Sequence, residues 1–133
     1  MNIGENLNHN DIITAISTAP GLGAIAVVRL SGKGSIALVD SIFESPSNKK
    51  LTNQKPYTVH FGRIMDNDTI LDEVLVTLFH APHSFTGEES VEIACHGSLY
   101  IQQKLMEVLI HAGARMAEAG EYTRRAFANG KFD

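Results

Sequence analysis

The sequence predicts an α+β fold in which a mainly antiparallel or mixed sheet is accompanied by two or three helices. Segments with strand composition outnumber those with apolar residues at helical spacing, and short turns rich in Gly, Pro, Asn or Asp separate neighbouring strands. The chain has 133 residues, 44% hydrophobic and 20% charged, as in one globular domain. We expect residues 1–10 to form a flexible N-terminus and residues 11–133 to form that domain.

The first half of the chain predicts two strands followed by a short helix. Residues 11–18 are rich in Ile and Thr, and residues 24–31 form a mostly apolar run, so both are expected to be strands. The Ala-Pro-Gly-Leu-Gly break between them favours a turn, which makes the strands hairpin partners or neighbours. Residues 35–43 place Ile and Val at helical spacing and predict an amphipathic helix.

A second hairpin and further helical segments are predicted beyond residue 56. Residues 57–65 and 70–79 are apolar-rich and flank Asp66-Asn67-Asp68-Thr69, a quartet typical of a hairpin turn. Ser98 fits the N-cap of a helix over residues 99–111 that Gly113 would end. The remaining predicted elements are a loop at 81–89, strands at 91–95 and 115–117, and a helical turn or two at 121–129.

Charge and composition narrow the class of protein. Eleven Lys and Arg against 15 Asp and Glu give a net charge of −4, so the chain lacks the basic excess typical of a domain that binds RNA phosphates. The single cysteine excludes an intramolecular disulfide. Because the Asn-rich start carries no apolar signal core and no stretch is apolar enough to span a membrane, we expect a cytoplasmic protein with no membrane partner.

Two glycine-rich segments do not qualify as nucleotide loops. Residues 20–24 lack the third glycine of the dinucleotide pattern and precede a strand. In the Gly-Lys-Gly-Ser segment at 32–35, Gly34 follows the lysine in place of Ser or Thr, and Val27 stands where a P-loop needs its first glycine. Both segments are interpreted as turns, so this chain alone is not expected to hydrolyse GTP.

Two charged residues inside apolar strands are candidate site residues. An arginine buried at Arg29 without a partner would cost roughly several kcal/mol. Arg29 therefore lies on an exposed face or edge, pairs with an internal carboxylate, or points into a cleft toward an anionic or carbonyl-bearing ligand. Glu92 shares a strand face with Ala94, opposite the more apolar face. It is either solvated or an acceptor for an amidine-like edge such as that of a pterin.

Other reactive side chains favour structural roles. Cys95 and His96 are neighbours on a predicted strand and point to opposite faces, so they do not form a thiol–base pair, and Cys95 is expected in the core. The six histidines and one cysteine show no metal-ligand spacing. The pairs Glu88-Glu89 and Arg124-Arg125 are interpreted as solvated charge.

Three blocks, in order along the chain, resemble a known family. They are DIITAISTAPGLGAIAVVRLSG at 11–32, SFTGEESVEIACHG at 84–97 and AGEYTRRAFANGKFD at 119–133. Together they are similar to the N-terminal domain of the tRNA uridine-5-carboxymethylaminomethyl modification GTPases, the MnmE/TrmE family. The resemblance implies the fold of the tetrahydrofolate-binding domains of one-carbon enzymes. It also implies binding of 5-formyl- or 5,10-methylene-tetrahydrofolate and a homodimer.

The resemblance further implies a larger setting. In full-length members a helical domain and a GTPase domain follow, with GTP, Mg²⁺ and K⁺ as ligands. A flavin-dependent partner protein completes a heterotetramer that modifies the wobble uridine of certain tRNAs, with the folate as one-carbon donor. Two alternatives stay open: a purely structural dimerisation module without folate binding, and a stand-alone folate-dependent transferase.

The family's folate contacts fall on Arg29, Glu92 and Lys131 of this chain. We expect Glu92 to hold the pterin amino edge, and the two cations to bind carbonyl, formyl or glutamate-tail oxygens in roles that are interchangeable. No catalytic residue and no metal ligand is expected. The sequence departs from the family at Leu22 and Ala24, where an arginine and a glycine are usual.

Overall fold

Seven strands and three α-helices make up the part of the chain that the computed structural model describes, residues 11–19, 21 and 23–131. The fold is α+β, as predicted, and the predicted flexible N-terminus and Leu22 lie outside the described residues. The strands are β1 (Ile13–Ile16), β2 (Ile25–Ser31), β3 (Phe43–Glu44), β4 (Val59–Asp66), β5 (Thr69–Phe79), β6 (Ser90–His96) and β7 (Arg115–Met116). The helices are α1 (Ser35–Asp40), α2 (Leu99–Ala112) and α3 (Glu121–Ala128), with a 3₁₀ turn at Leu51–Asn53.

The strands form one mixed sheet in the order β3-β4-β5-β6-β2-β1-β7. All neighbouring pairs are antiparallel except β1 and β7, which are parallel. Both predicted hairpins are confirmed: β1 pairs with β2, and β4 pairs with β5. The second hairpin turns at Asn67, whose φ of 55° is a left-handed conformation that asparagine tolerates better than most residues.

The hydrophobic core lies between one face of this sheet and helices α1 and α2. Alternate residues along the central strands are fully buried on this face, as the two-residue period of a strand requires. The helices contribute the apolar stripe predicted for α2 and the buried residues of α1. Principal members of the core are Val28, Leu30, Val39, Val74, Val76, Leu78, Val91, Ile93, Leu105 and Leu109.

The two helices on the core face differ in how well the sequence predicts them. Helix α2 begins as expected, because the Ile101 backbone N–H donates to the Ser98 hydroxyl at 3.1 Å. Helix α1 was predicted to continue to residue 43, but it ends at Asp40. The prediction is wrong there because Phe43 pairs with Ile64 in the sheet, a long-range contact that local periodicity does not contain.

The second face of the sheet carries two of the three candidate site residues, Arg29 and Glu92. Strand register places Ala15, Arg29, Glu92, Thr77 and Val59 in one row across β1, β2, β6, β5 and β4. These side chains point away from the core formed by the alternate residues. No helix of the described chain is long and apolar enough to cross a membrane.

Candidate functional site

Arg29 and Glu92 lie directly opposite each other on β2 and β6 and form an ion pair. The Arg29 Nη2 and Nε atoms lie 3.0 and 3.1 Å from the same carboxylate oxygen, Oε2 of Glu92. The two side chains are 26% and 32% exposed. Within the described part of the chain, the Oε1 atom of Glu92 accepts no hydrogen bond. The pair therefore satisfies the arginine and leaves half of the carboxylate open.

Two aromatic rings flank the Arg29 guanidinium. Its Cζ atom lies 5.3 Å from the ring centroid of Phe85 and 5.7 Å from that of Tyr122, both within cation–π range. The Tyr122 hydroxyl lies 2.7 Å from the Arg29 carbonyl oxygen and 3.2 Å from that of Ile13. Burial raises the pKa of the Tyr122 phenol, so the hydroxyl stays a donor at physiological pH. Tyr122 is thus a fixed wall of the site, tied to β1 and β2.

Lys131 reaches the same region through the loop between β5 and β6. Its Nζ atom donates to the Pro82 carbonyl oxygen at 3.4 Å, and its backbone N–H donates to the Ala126 carbonyl at 2.9 Å. A Cβ atom added at Gly87 would lie 3.5 Å from the Lys131 Cγ atom, so the lysine stem packs against this loop. Because Phe85 belongs to the same loop, Lys131 is linked to the Arg29–Glu92 pair through it. The structure thus brings two of the three predicted residues into contact and connects the third indirectly.

A buried ion network holds α3 against this loop. The Arg125 side chain is only 4% exposed. Its Nη1 atom lies 2.7 Å from the Asp11 carbonyl oxygen and 3.2 Å from Glu88 Oε1, and its Nη2 atom lies 3.3 Å from Glu121 Oε2. Glu88 also accepts a hydrogen bond from the Ser31 hydroxyl at 2.7 Å. The network joins α3, the loop, the end of β2 and the start of the described chain.

The prediction that both charge pairs are solvated is wrong for three of the four residues. Arg125 and Glu88 belong to the buried network, and the Glu89 carboxylate accepts the Ile36 backbone N–H at 2.8 Å near the start of α1. Arg124 behaves as predicted, with a 58% exposed side chain paired to Glu118. Glu121 is a local partner of Arg125, four residues away, but the Arg125–Glu88 and Ile36–Glu89 contacts join segments 37 and 53 positions apart, which local charge patterning does not contain.

Glu121 is the acidic centre of the network. Arg115 donates to its two oxygens at 3.0 and 2.7 Å, and Arg125 approaches from the other side. Burial opposes ionisation, but the hydrogen bonds from Arg115 and from the Glu118 backbone N–H outweigh it and lower the pKa of Glu121 to about 2. The carboxylate is therefore charged throughout the physiological range.

Cys95 and the side chains able to ligate metals are the other candidate reactive groups. Cys95 is 3% exposed, and burial raises the pKa of its thiol to about 11, so the thiolate is scarce at neutral pH. This confirms the prediction that Cys95 lies in the core. No group of three or more His, Cys, Asp or Glu side chains in the described part of the chain is arranged to hold a metal ion. The Arg29–Glu92 pair and the two rings beside it can bind a ligand through hydrogen bonds and aromatic contacts.

Two cavities lie away from the pair. One, of about 490 Å³, lies between α1, α2 and the β4–β5 turn, and another, of about 500 Å³, lies beside the β5–β6 loop. Arg29 and Glu92 line neither of them. The Arg29–Glu92 pair thus lies outside both of these cavities.

Sequence reasoning missed Phe85, Tyr122 and Arg125 as parts of this region. Phe85 and Tyr122 stand inside the SFTGE and GEYTRRAF blocks, so the signal was present as aromatic residues in otherwise polar segments. Their contacts depend on the folded chain, which brings Tyr122 to Arg29 across 93 positions and Arg125 to Glu88 across 37 positions.

Comparison with known proteins gives a consistent result. The family described as the GTP-binding protein TrmE N-terminus matches residues 12–131. A tRNA modification GTPase MnmE of Flavobacterium johnsoniae is 53% identical over 125 residues, which cover 94% of this chain and 27% of the relative. The protein of that name from Bacteroides thetaiotaomicron is 55% identical over 126 residues, covering 94% and 27%. That of Porphyromonas gingivalis is 48% identical over 134 residues, covering 100% and 28%. The chain spans about a quarter of the length of these relatives.

Proposed function

Because the chain belongs to the family of GTP-binding protein TrmE N-termini, we propose that it is the tetrahydrofolate-binding and homodimerisation domain of a tRNA modification GTPase. The observation that carries the folate proposal is the Arg29–Glu92 pair on the open sheet face, flanked by two aromatic rings. A carboxylate beside aromatic surface suits the 2-amino and N3–H edge of a pterin, which pairs with both carboxylate oxygens.

In this proposal each of the three predicted residues has a role that its position supports. Glu92 accepts the two pterin N–H groups, which requires Arg29 to release Oε2. Arg29 then hydrogen-bonds a ligand carbonyl or formyl oxygen, since it keeps five donors and its place beside Glu92. Lys131, on the rim formed by the β5–β6 loop, binds the glutamate-tail carboxylates. The ligand is 5-formyl- or 5,10-methylene-tetrahydrofolate.

The dimer proposal rests on the other end of the same sheet face. Four large apolar side chains there are about half exposed or more: Ile25 at 66%, Val59 at 57%, Phe61 at 50% and Leu75 at 47%. Phe61 and Leu75 are cross-strand partners, so their surfaces are continuous. Such a patch is typical of a surface covered by another protein, and we propose a second copy of this chain as its occupant.

The proposed dimer is tested by light scattering on the parent and on Leu75→Lys. We expect twice the chain mass for the parent and the chain mass for the variant, because a lysine would place a charge inside an apolar interface. A monomeric parent at micromolar concentration would remove this part of the proposal.

The activity of the whole protein is also a proposal. A full-length form would bind GTP with Mg²⁺ and K⁺ and would act in the cytoplasm with a flavin-dependent partner to modify the wobble uridine of tRNA. A stand-alone folate-dependent transferase is less well supported, because the buried Cys95 offers no accessible thiolate to such a reaction.

Calorimetric titration with 5-formyltetrahydrofolate tests the folate site. We expect saturable binding to the parent and a loss of about tenfold to a hundredfold in affinity for Glu92→Gln, the range for one hydrogen bond to a charged group. Glu107→Gln is the matched control, since this exposed glutamate lies on α2 and pairs only weakly with Lys104 at 3.6 Å. A folded, dimeric parent that does not bind would leave a purely structural dimerisation module as the better account.

A further inference from the structure

The Arg29 guanidinium occupies a position that a planar heterocycle with N–H donors would fill equally well. It is a flat N–C–N group that donates to the Glu92 carboxylate and lies near the rings of Phe85 and Tyr122. The 2-amino-pyrimidinone edge of a pterin carries the same N–C–N arrangement of donors. In the described chain, Arg29 thus stands where the amino edge of such a ligand would pair.

We propose that Phe85 is a specificity-determining residue whose ring stacks on the pterin after the pterin takes the place of Arg29 on Glu92. This inference rests on the proposed folate function and adds a residue to it. It also predicts which ligands bind. A ligand needs a flat ring to stack on Phe85 and an amino edge to pair with Glu92. Ligands that lack either feature are expected to bind poorly.

Phe85 leaves part of its ring surface available for this role. Its side chain is 47% exposed and is not among the residues of the hydrophobic core, so a ligand can reach it. Tyr122, in contrast, is fixed by its hydrogen bonds to the carbonyls of Ile13 and Arg29. The Tyr122 ring is therefore held in place by hydrogen bonds, and the Phe85 ring is a half-exposed apolar surface near the same guanidinium.

The loop that carries Phe85 is held on its C-terminal side, so the backbone next to the ring is fixed in the fold. The Asn129 side-chain amide donates to the Thr86 carbonyl at 2.9 Å, and Glu88 pairs with the buried Arg125 at 3.2 Å. Because these contacts are made next to Phe85, little ordering is left for the ligand to impose.

Two Phe85 variants test the inference by calorimetric and fluorescence titration with 5-formyltetrahydrofolate. Phe85→Leu removes the flat ring, and we expect it to weaken binding about tenfold, the order found for one stacked aromatic ring. Phe85→Trp keeps the ring and introduces the only tryptophan of the chain, which has none. We expect it to bind within about threefold of the parent and to show quenching that saturates with the ligand. Tyr100→Leu is the control, an aromatic 64% exposed on α2.

The outcomes separate this inference from the proposed function. Equal affinity of Phe85→Leu and the parent, with binding still lost in Glu92→Gln, would overturn the Phe85 role and leave the folate site intact. Absence of binding of both 5-formyltetrahydrofolate and guanosine monophosphate to the parent would overturn both. Guanine shares the 2-amino edge of a pterin, so guanosine monophosphate forms a second arm of the titration. Guanosine binding that weakens in Phe85→Leu, without folate binding, would support stacking by Phe85 and contradict folate as the ligand.

Discussion

Two arginine–glutamate pairs in this domain use the same chemistry in opposite surroundings. Arg125 is 4% exposed and has Glu88, Glu121 and a backbone carbonyl as partners. Arg29 is 26% exposed, and two of its nitrogen atoms contact the same oxygen of Glu92, Oε2. The first pair is enclosed and crosslinks α3 to a loop, whereas the second stands on an open sheet face with half of its carboxylate unused.

The difference indicates which pair serves the fold and which is available to a ligand. Breaking a buried pair leaves an uncompensated charge away from water, which is costly, whereas water replaces the partner of an exposed charge. A charged residue that the fold can spare, in a place where its partner can be exchanged, is suited to binding. We therefore expect substitutions in the two pairs to separate stability from affinity.

The largest loss of stability is expected for Arg125→Met. The substitution leaves Glu88 without its cation and the Asp11 carbonyl without a donor, whereas Glu121 keeps Arg115. We expect the free energy of unfolding to fall by about 3–5 kcal/mol. The neighbouring Arg124→Met is the matched control, because that side chain is 58% exposed, and we expect a change of about 0.5 kcal/mol or less. Urea denaturation of both variants measures the contrast. If both substitutions lowered the free energy of unfolding equally, the burial of Arg125 would not be the reason for its effect.

The next largest effect is the pH dependence of stability that Glu121 causes. The pKa of Glu121, about 2 in the folded chain, lies below the usual 4.5, so its ionised form stabilises the fold. That contribution, roughly 3 kcal/mol, is fully present above pH 4.5 and is lost as the pH falls toward 2. We expect Glu121→Gln to be less stable at pH 7 and to lose less further stability across this acid range. A parent and a variant with parallel stability curves between pH 5 and 2 would contradict the assignment.

A smaller effect is expected for Asn129→Ala. The Asn129 amide donates to the Thr86 and Arg125 carbonyls at 2.9 and 2.8 Å. Its loss should lower the free energy of unfolding by about 1–2 kcal/mol, because two partly buried acceptors lose a donor. The loop carrying Phe85 should also become less protected in hydrogen exchange, whereas β5 and β6 should not. Unchanged exchange in residues 84–88 would show that Asn129 does not anchor the loop.

Much of the fold was predictable because its signals are local. The Ser98 cap, Gly113 and the apolar stripe of α2 lie within one segment. The β4–β5 turn is predicted by four consecutive polar residues. The strand order was not predictable, because it depends on pairings such as Arg29 with Glu92, 63 positions apart. That same distance explains why the sequence left three possibilities open for Arg29. Pairing with a carboxylate proves correct for the described chain, and the ligand role stays a prediction.

The site was predictable in part for a related reason. Arg29 and Glu92 are conspicuous because charge interrupts an apolar strand, and the family resemblance pointed to them and to Lys131. Arg125 gave no such signal, since an Arg-Arg pair on a short polar helix is usually solvated. Its burial arises from where α3 meets the β5–β6 loop, which only the assembled fold shows.

Urea denaturation of the parent and of Glu92→Gln, with and without 5-formyltetrahydrofolate, tests most directly whether the partly buried Arg29–Glu92 pair serves a ligand. Without ligand we expect the two free energies of unfolding to agree within about 1 kcal/mol. At a ligand concentration one hundred times the parent's dissociation constant, we expect a gain of about 2.7 kcal/mol for the parent and a gain well below this for the variant. An equal gain for both proteins would contradict the account, as would a variant several kcal/mol less stable without ligand.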